Sequence, residues 1–145
     1  MTTSALTYII AAIEARLVAL GFAMTEDVFD FDQVPDSVIN KACRITTRRI
    51  GIDYYSGNLA NPKDEITIWI AYVAEGGMSV RTVEKAAIDD RQYIENDLLK
   101  AASIRALASD PLLIFEGDEA STRGVGGCYV VSKVSIRVDY QWIIA

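Results

Sequence analysis

Histidine is missing from this 145-residue chain. Its absence removes the side chain most often used as a general base near neutral pH and the commonest metal ligand. Cysteine is nearly missing: Cys43 and Cys128 are the two copies. Both fall in strand-like stretches with no neighbour that would activate a thiolate, so both read as free, packed thiols and not as nucleophiles. Positive charge is scarce. Fourteen Lys and Arg against 20 Asp and Glu leave a net charge of −6, and the sequence pI is about 4.6. Binding to the outside of nucleic acid needs clustered cations to neutralise phosphates. The densest basic cluster is Arg44, Arg48 and Arg49, which reads as a sheet face or a subunit interface. Long apolar runs are also lacking. The first apolar segment, Leu6 to Leu20, is interrupted by Glu14 and Arg16, so neither a signal peptide nor a membrane span is expected, and a reducing cytoplasmic setting is.

The most ordered pattern present is at the C-terminus. Cys128, Val130, Ser132, Val134, Ile136, Val138, Tyr140 and Trp142 alternate with Tyr129, Val131, Lys133, Ser135, Arg137, Asp139 and Gln141. A period of two held this long predicts a half-buried antiparallel strand. Ser4 as a cap, apolar residues at 6, 9, 10, 13, 17 and 20, and Gly21 as a stop predict a first helix over 4–20. Residues 22–40 show no period; Val34–Pro35–Asp36 reads as a turn, with a short helical piece starting at Asp36 or Ser37. A strand over 41–56 changes parity between Cys43–Ile45–Thr47 and Ile50–Ile52–Tyr54, which requires a bulge or break near Thr47–Arg49. A loop of about eight residues around Ser56–Pro62 precedes a strand over Glu65–Ala74. The second face of that strand, Thr67, Trp69, Ala71 and Val73, is too apolar for free water, so the first helix or another subunit must cover it. A long helix spans 82–108, irregular before about Arg91 and stopped by Asp110–Pro111. Leu112–Phe115 is a brief strand, and 116–127 is a flexible loop or hairpin tip.

This order predicts one α+β domain over 1–145. Its mostly antiparallel sheet has four or five strands, with the N-terminal helix and the long central helix packed on one face. The chain is long enough to bury a core without metal or disulfide staples. Asp30, Asp32 and Asp36 are the best-spaced carboxylates for a hard cation, but the spacing of a calcium loop is absent. Asp89 and Asp90 point about 100° apart on a helix and do not converge. Gly124, Gly126 and Gly127 lack the Lys–Ser/Thr pair and the following helix of a phosphate loop. The residues therefore predict no catalytic, metal or cofactor site and no enzyme. They favour an interaction protein, whose interface candidates are Arg44, Arg48, Arg49, Asp30, Trp69, Arg137 and Asp139.

The run of features resembles the tail terminator proteins of long-tailed, siphovirus-like bacteriophages, and more loosely their tail-completion and head–tail joining proteins. The resemblance rests on the amphipathic N-terminal helix, Phe29–Asp30–Phe31, the Cys43–Ile45 strand, Glu65–Val73 after a polar loop, the helix around Arg91–Ala108, and Val134–Ser135–Ile136–Arg137–Val138–Asp139–Tyr140. It implies a structural virion protein at the head-proximal end of the tail, assembled in the host cytoplasm. Such a protein caps the tail tube as a hexameric ring, ends polymerisation and offers a surface to the neck or connector. Its partners would be further copies of itself, the major tail tube protein and the neck protein. DNA would pass through the channel without specific binding, and no membrane is involved. Six copies at −6 give about −36, a field that repels phosphate. The arginines at 44, 48 and 49 would meet acidic groups of a neighbour such as Glu26, Asp27 or Asp30. Two other classes share the composition: a small dimeric bacterial ligand-binding domain, and an enzyme working through Asp30 or Asp32.

Overall fold

Four long strands carry the architecture. The computed structural model describes residues 4–31, 34, 35, 37–56, 59–74, 79–123 and 129–143, and the side chains of all of these except 54–56, 118–123 and 143. The elements run α1 (Ala5–Ala19), β1 (Ala23–Met24), β2 (Ala42–Ser56), β3 (Leu59–Val73), α2 (Val80–Lys100), α3 (Ala102–Arg105), β4 (Leu112–Arg123), β5 (Tyr129–Asp139) and β6 (Trp142–Ile143). The sheet order is β1-β2-β3-β5-β4, and β6 pairs with β3 beyond the end of β5. Every long pair is antiparallel; β1 alone is parallel, against the first residues of β2. Because β3 and β4 both oppose β5, they run the same way, and α2–α3 forms the crossover between them. The α+β class, the two principal helices and the mostly antiparallel sheet are as the sequence predicts.

Alternation decides which face is covered. Ile66, Ile68, Ile70 and Tyr72 of β3 and Val130, Val134, Ile136 and Val138 of β5 join Ile9, Ile13 and Leu17 of α1 and Val83, Ala87, Ile94 and Leu98 of α2 in one buried cluster. Each fully buried aliphatic side chain contributes ~1.5–3 kcal/mol, so this one face dominates folding. The helices are also clamped to each other: the Arg16 guanidinium donates to both oxygens of Asp97 at 2.9 and 2.7 Å.

The ends of α1 follow from local chemistry. Ser4 Oγ accepts the Thr7 N–H at 3.2 Å. At the other end Phe22 N–H reaches Leu17 O and Gly21 N–H reaches Val18 O, the paired bonds of a Schellman turn, with Gly21 at φ 98°. Ser79 caps α2 in the same way through Thr82 N–H. The long helix therefore begins before residue 82 and is regular through Arg91, because the cap starts it and Val83 and Ala87 already face the core. It ends at Lys100, well before Pro111: Ala101 leaves helical geometry (ψ 112°), and α3 adds one further turn.

Five sequence expectations change. The parity break in β2 is a bulge one residue later than expected, at Ile50, where the register jumps from Arg49 to Gly51. The loop expected around 56–62 is strand at its described residues: β2 and β3 stay paired to Ser56 and Leu59, and Gly57 and Asn58 lie outside the described residues. Pro62 is tolerated inside β3 because its carbonyl accepts the Tyr140 N–H. Its missing donor thus faces the gap between β5 and β6 and takes no ladder bond from β2. The stretch read as a flexible loop or hairpin tip, 116–127, is strand as far as Arg123, paired along β5 as one arm of a long antiparallel pair; residues 124–128, including Gly124, Gly126, Gly127 and Cys128, lie outside the described residues. A register shift between Phe115 and Gly117 leaves Glu116 as a bulge and breaks the alternation that would have revealed the strand. Finally, the apolar second face of β3 is covered not by α1 but by the chain's own segment after β1. Phe29 and Val38 pack with Ala42, Ala71 and Val131, and the ring of Phe31 meets Trp69 edge-on at 5.4 Å. In that segment the Val38 N–H to Pro35 O bond closes a turn, and 37–41 form no helix.

Gly21→Ala places a Cβ in open space but at a left-handed φ. It should lower unfolding stability by about 1 kcal/mol. Urea denaturation should show a lower midpoint with an unchanged slope.

Candidate functional site

The sheet face away from the helices is open beyond the part covered by Phe29–Val38. Across it run rows of residues set by strand register. Arg48, Glu65, Arg137 and Ile114 form one row; Thr46, Thr67, Ser135 and Gly117 the next; Arg44, Trp69, Lys133 and Glu119 a third. Arg48 pairs with Glu65 at 3.2 Å. Arg137 Nε lies 3.3 Å from Asp139 and 3.9 Å from Glu116. Arg137 Nε and Asp139 Oδ1 are both shielded from solvent, and neither makes a hydrogen bond among the described residues, so their contact is coulombic. Trp69 donates from Nε1 to Thr46 at 3.0 Å, and Lys133 Nζ sits 5.7 Å from the centre of its ring, within cation–π range.

Five of the seven interface candidates, Arg44, Arg48, Trp69, Arg137 and Asp139, thus share one surface. Arg49 does not. Adjacent strand residues point to opposite faces, and Arg49 turns to the helix side. There its Nε donates to Asp64 Oδ1 at 2.7 Å, while Tyr140 donates its hydroxyl to Asp64 Oδ2 at 2.8 Å. Asp64 is 1% exposed and has both oxygens satisfied. Asp30 is exposed in the segment that follows β1. Asp27, one of the acidic residues expected to meet a neighbour's arginines, accepts from Ser37 at 3.2 Å within its own segment.

The electrostatics argue for structure at the enclosed groups. Burial, then the bond to Asp64, pushes the Tyr140 hydroxyl up to about 12. Burial chiefly pushes the Cys43 thiol up to about 12, with Glu14 adding to it, so Cys43 is a packed, unreactive thiol. Burial first, and then Asp90, also raises Tyr72, whose hydroxyl donates to Asp90 at 3.0 Å. A hydrogen bond from Arg16 lowers Asp97.

Asp32 and Asp36 lie outside the described residues; among the described residues no three carboxylates, histidines or cysteines gather round a common point. No helix among them is long and apolar enough to cross a membrane. An open cleft of about 340 Å³ runs between β6's approach and β4, past Asn61, Asp110, Leu112, Asp139 and Tyr140. The sequence missed the Asp64–Arg49–Tyr140 cluster. The signal was available: Arg49 follows the parity of Cys43 and Ile45, Asp64 that of Ile66 and Ile68, and two opposite charges on apolar parities of neighbouring strands imply a pair.

The chemistry on offer is recognition by rows of charge around one indole. No protein-family model matches this chain, and no curated protein matches its sequence.

Tyr140→Phe leaves Asp64 Oδ2 without its donor and should cost about 1–2 kcal/mol. Asp64→Ala should cost about 3 kcal/mol, because Arg49 keeps partial access to water. Denaturant titration of both variants checks the order. Asp97 is depressed in the folded state, so its contribution is complete above the ordinary carboxylate value of 3.8 and is lost as pH falls through its lower folded value. The stability difference between wild type and Asp97→Asn, measured by thermal melts, should therefore be constant at neutral pH and shrink below about pH 4.

Proposed function

We infer that this protein is a ring-forming structural component of a long-tailed phage. It caps the tail tube, ends its growth and presents the surface to which the head or its connector joins. One observation carries the reading. The sheet is buried by helices on a single face, and the other face offers Arg44, Arg48, Trp69, Lys133 and Arg137 in ordered rows. A face of this kind suits rigid contact with other protein surfaces. The resemblance to tail terminators supplies the biological setting, with the tube protein and the neck protein as partners and the virion as the location.

The charge distribution supports the same reading. Arg48–Glu65 and Arg137–Asp139 neutralise each other locally, while the chain as a whole carries −6. A ring of six copies would hold a channel that DNA crosses with little adhesion. Function then rests on geometry and binding, without turnover.

Tails assembled in the absence of this protein, imaged by electron microscopy, should be overlong or headless. Tails of normal length joined normally to heads would overturn the reading.

A further inference from the structure

Both outer edges of the sheet are long and open. β1 and the Thr25 N–H occupy the edge of β2 only as far as Cys43. From Arg44 onward, no backbone group among the described residues bonds to that edge from outside the sheet. β4 is the opposite edge, twelve residues long and paired on its β5 side alone. Open edges of this length are templates for another strand.

The two edges carry opposite charge. β2 holds Arg44, Arg48 and Arg49 with Asp53, and β4 holds Glu116, Asp118 and Glu119 with Arg123. One opposite pair also shares a height on the sheet. Arg44 shares its cross-strand row with Glu119, and Arg48 shares its row with Ile114, two residues before Glu116. Strand direction matches as well. β2 and β4 run oppositely within one chain, so β4 of one copy beside β2 of the next continues the antiparallel alternation.

We propose that the basic edge of β2 binds the acidic edge of β4 on a second copy of this chain, head to tail, by antiparallel strand addition. This contact is heterologous, so it propagates and closes into a ring when the rotation per subunit allows. It deepens the ring reading above and replaces Glu26, Asp27 and Asp30 as partners of the arginines. Those acidic residues follow β1 in the same chain's covering segment, where Asp27 accepts from Ser37. Arg49 is committed to the buried Asp64; the arginines that face the neighbour are Arg44 and Arg48, the latter touching Glu65 while its side chain stays 70% exposed.

Charge exchange tests the contact. Variant one is Arg44→Glu with Arg48→Glu; variant two is Glu116→Lys with Glu119→Lys. Sedimentation equilibrium and native mass measurement should show concentration-dependent oligomers for the wild type and at least a tenfold weakening for each variant alone. Mixing the two variants should restore assembly, because each acidic β2 then meets a basic β4 and the reverse. One chain carrying all four changes should also assemble, which guards against a variant that merely fails to fold. A wild type that stays monomeric at the highest soluble concentration overturns the edge contact. Single variants that still assemble like wild type also overturn it while leaving a ring built on another surface. A mixture that stays monomeric, with both variants folded by circular dichroism, overturns it too. Tail length in the absence of the protein judges the terminator reading independently of all these outcomes.

Discussion

The pairing of β3 with β5 is the constraint on which everything else depends. From Lys63 opposite Asp139 to Val73 opposite Tyr129, the two strands stay in register without a break. Unbroken register keeps every side chain on its face. Ile66, Ile68, Val134 and Ile136 therefore all meet the helices, and Glu65, Trp69, Lys133 and Arg137 all meet the other side. A slip of one residue would bury the charged rows and expose the core. The register shifts that the fold does use lie away from this pair, at Ile50 and Tyr55 in β2 and Glu116 in β4. They bend the flanking strands and leave the central register intact.

Two polar clusters hold the margins of this frame. Asp64, Arg49 and Tyr140 tie β2, β3 and the chain after β5 together on the helix side. Tyr72, Asp90 and Lys41 join β3, α2 and the turn before β2; Lys41 lies 3.6 Å from Asp90 and adopts φ 62°. In both, a tyrosine at the rim of the apolar core offers its body to the core and its hydroxyl to a carboxylate. Neither cluster faces the open sheet surface, so the groups that stabilise the fold and those available for recognition are separated by strand parity.

Much of this was legible in the chain, and the failures have physical causes. Period-two alternation revealed β5 because both of its faces are regular, and a cap and a glycine stop revealed α1. β4 was legible only as far as Phe115, because the Glu116 bulge resets its parity and Gly117 reads as a loop residue. The pairing of 59–62 was hidden because Pro62 normally argues against a central strand, and only the neighbouring break between β5 and β6 makes it acceptable. The role of 25–41 as a cover over Ala71 and Val131 depends on Phe29 and Val38 converging through a turn, which no local period encodes. Arg44, Arg48, Trp69, Arg137 and Asp139 were singled out by charge and aromatic character, and strand register places them on one face. Arg49 was misassigned with them because proximity in sequence was read as proximity on a face.

The account's central proposal is that helices make the core on one side of the sheet, while its open face and edges make the contacts. Amide hydrogen exchange, followed as protein concentration rises from monomer to oligomer, tests this most directly, since protection appears where backbone groups become bonded. Slowed exchange over Arg44–Ile50 and Leu112–Arg123, with the outer surface of α2 unchanged, is the expected result. Protection that grows on α2 or α1 instead, with both strand edges still exchanging freely, would contradict it.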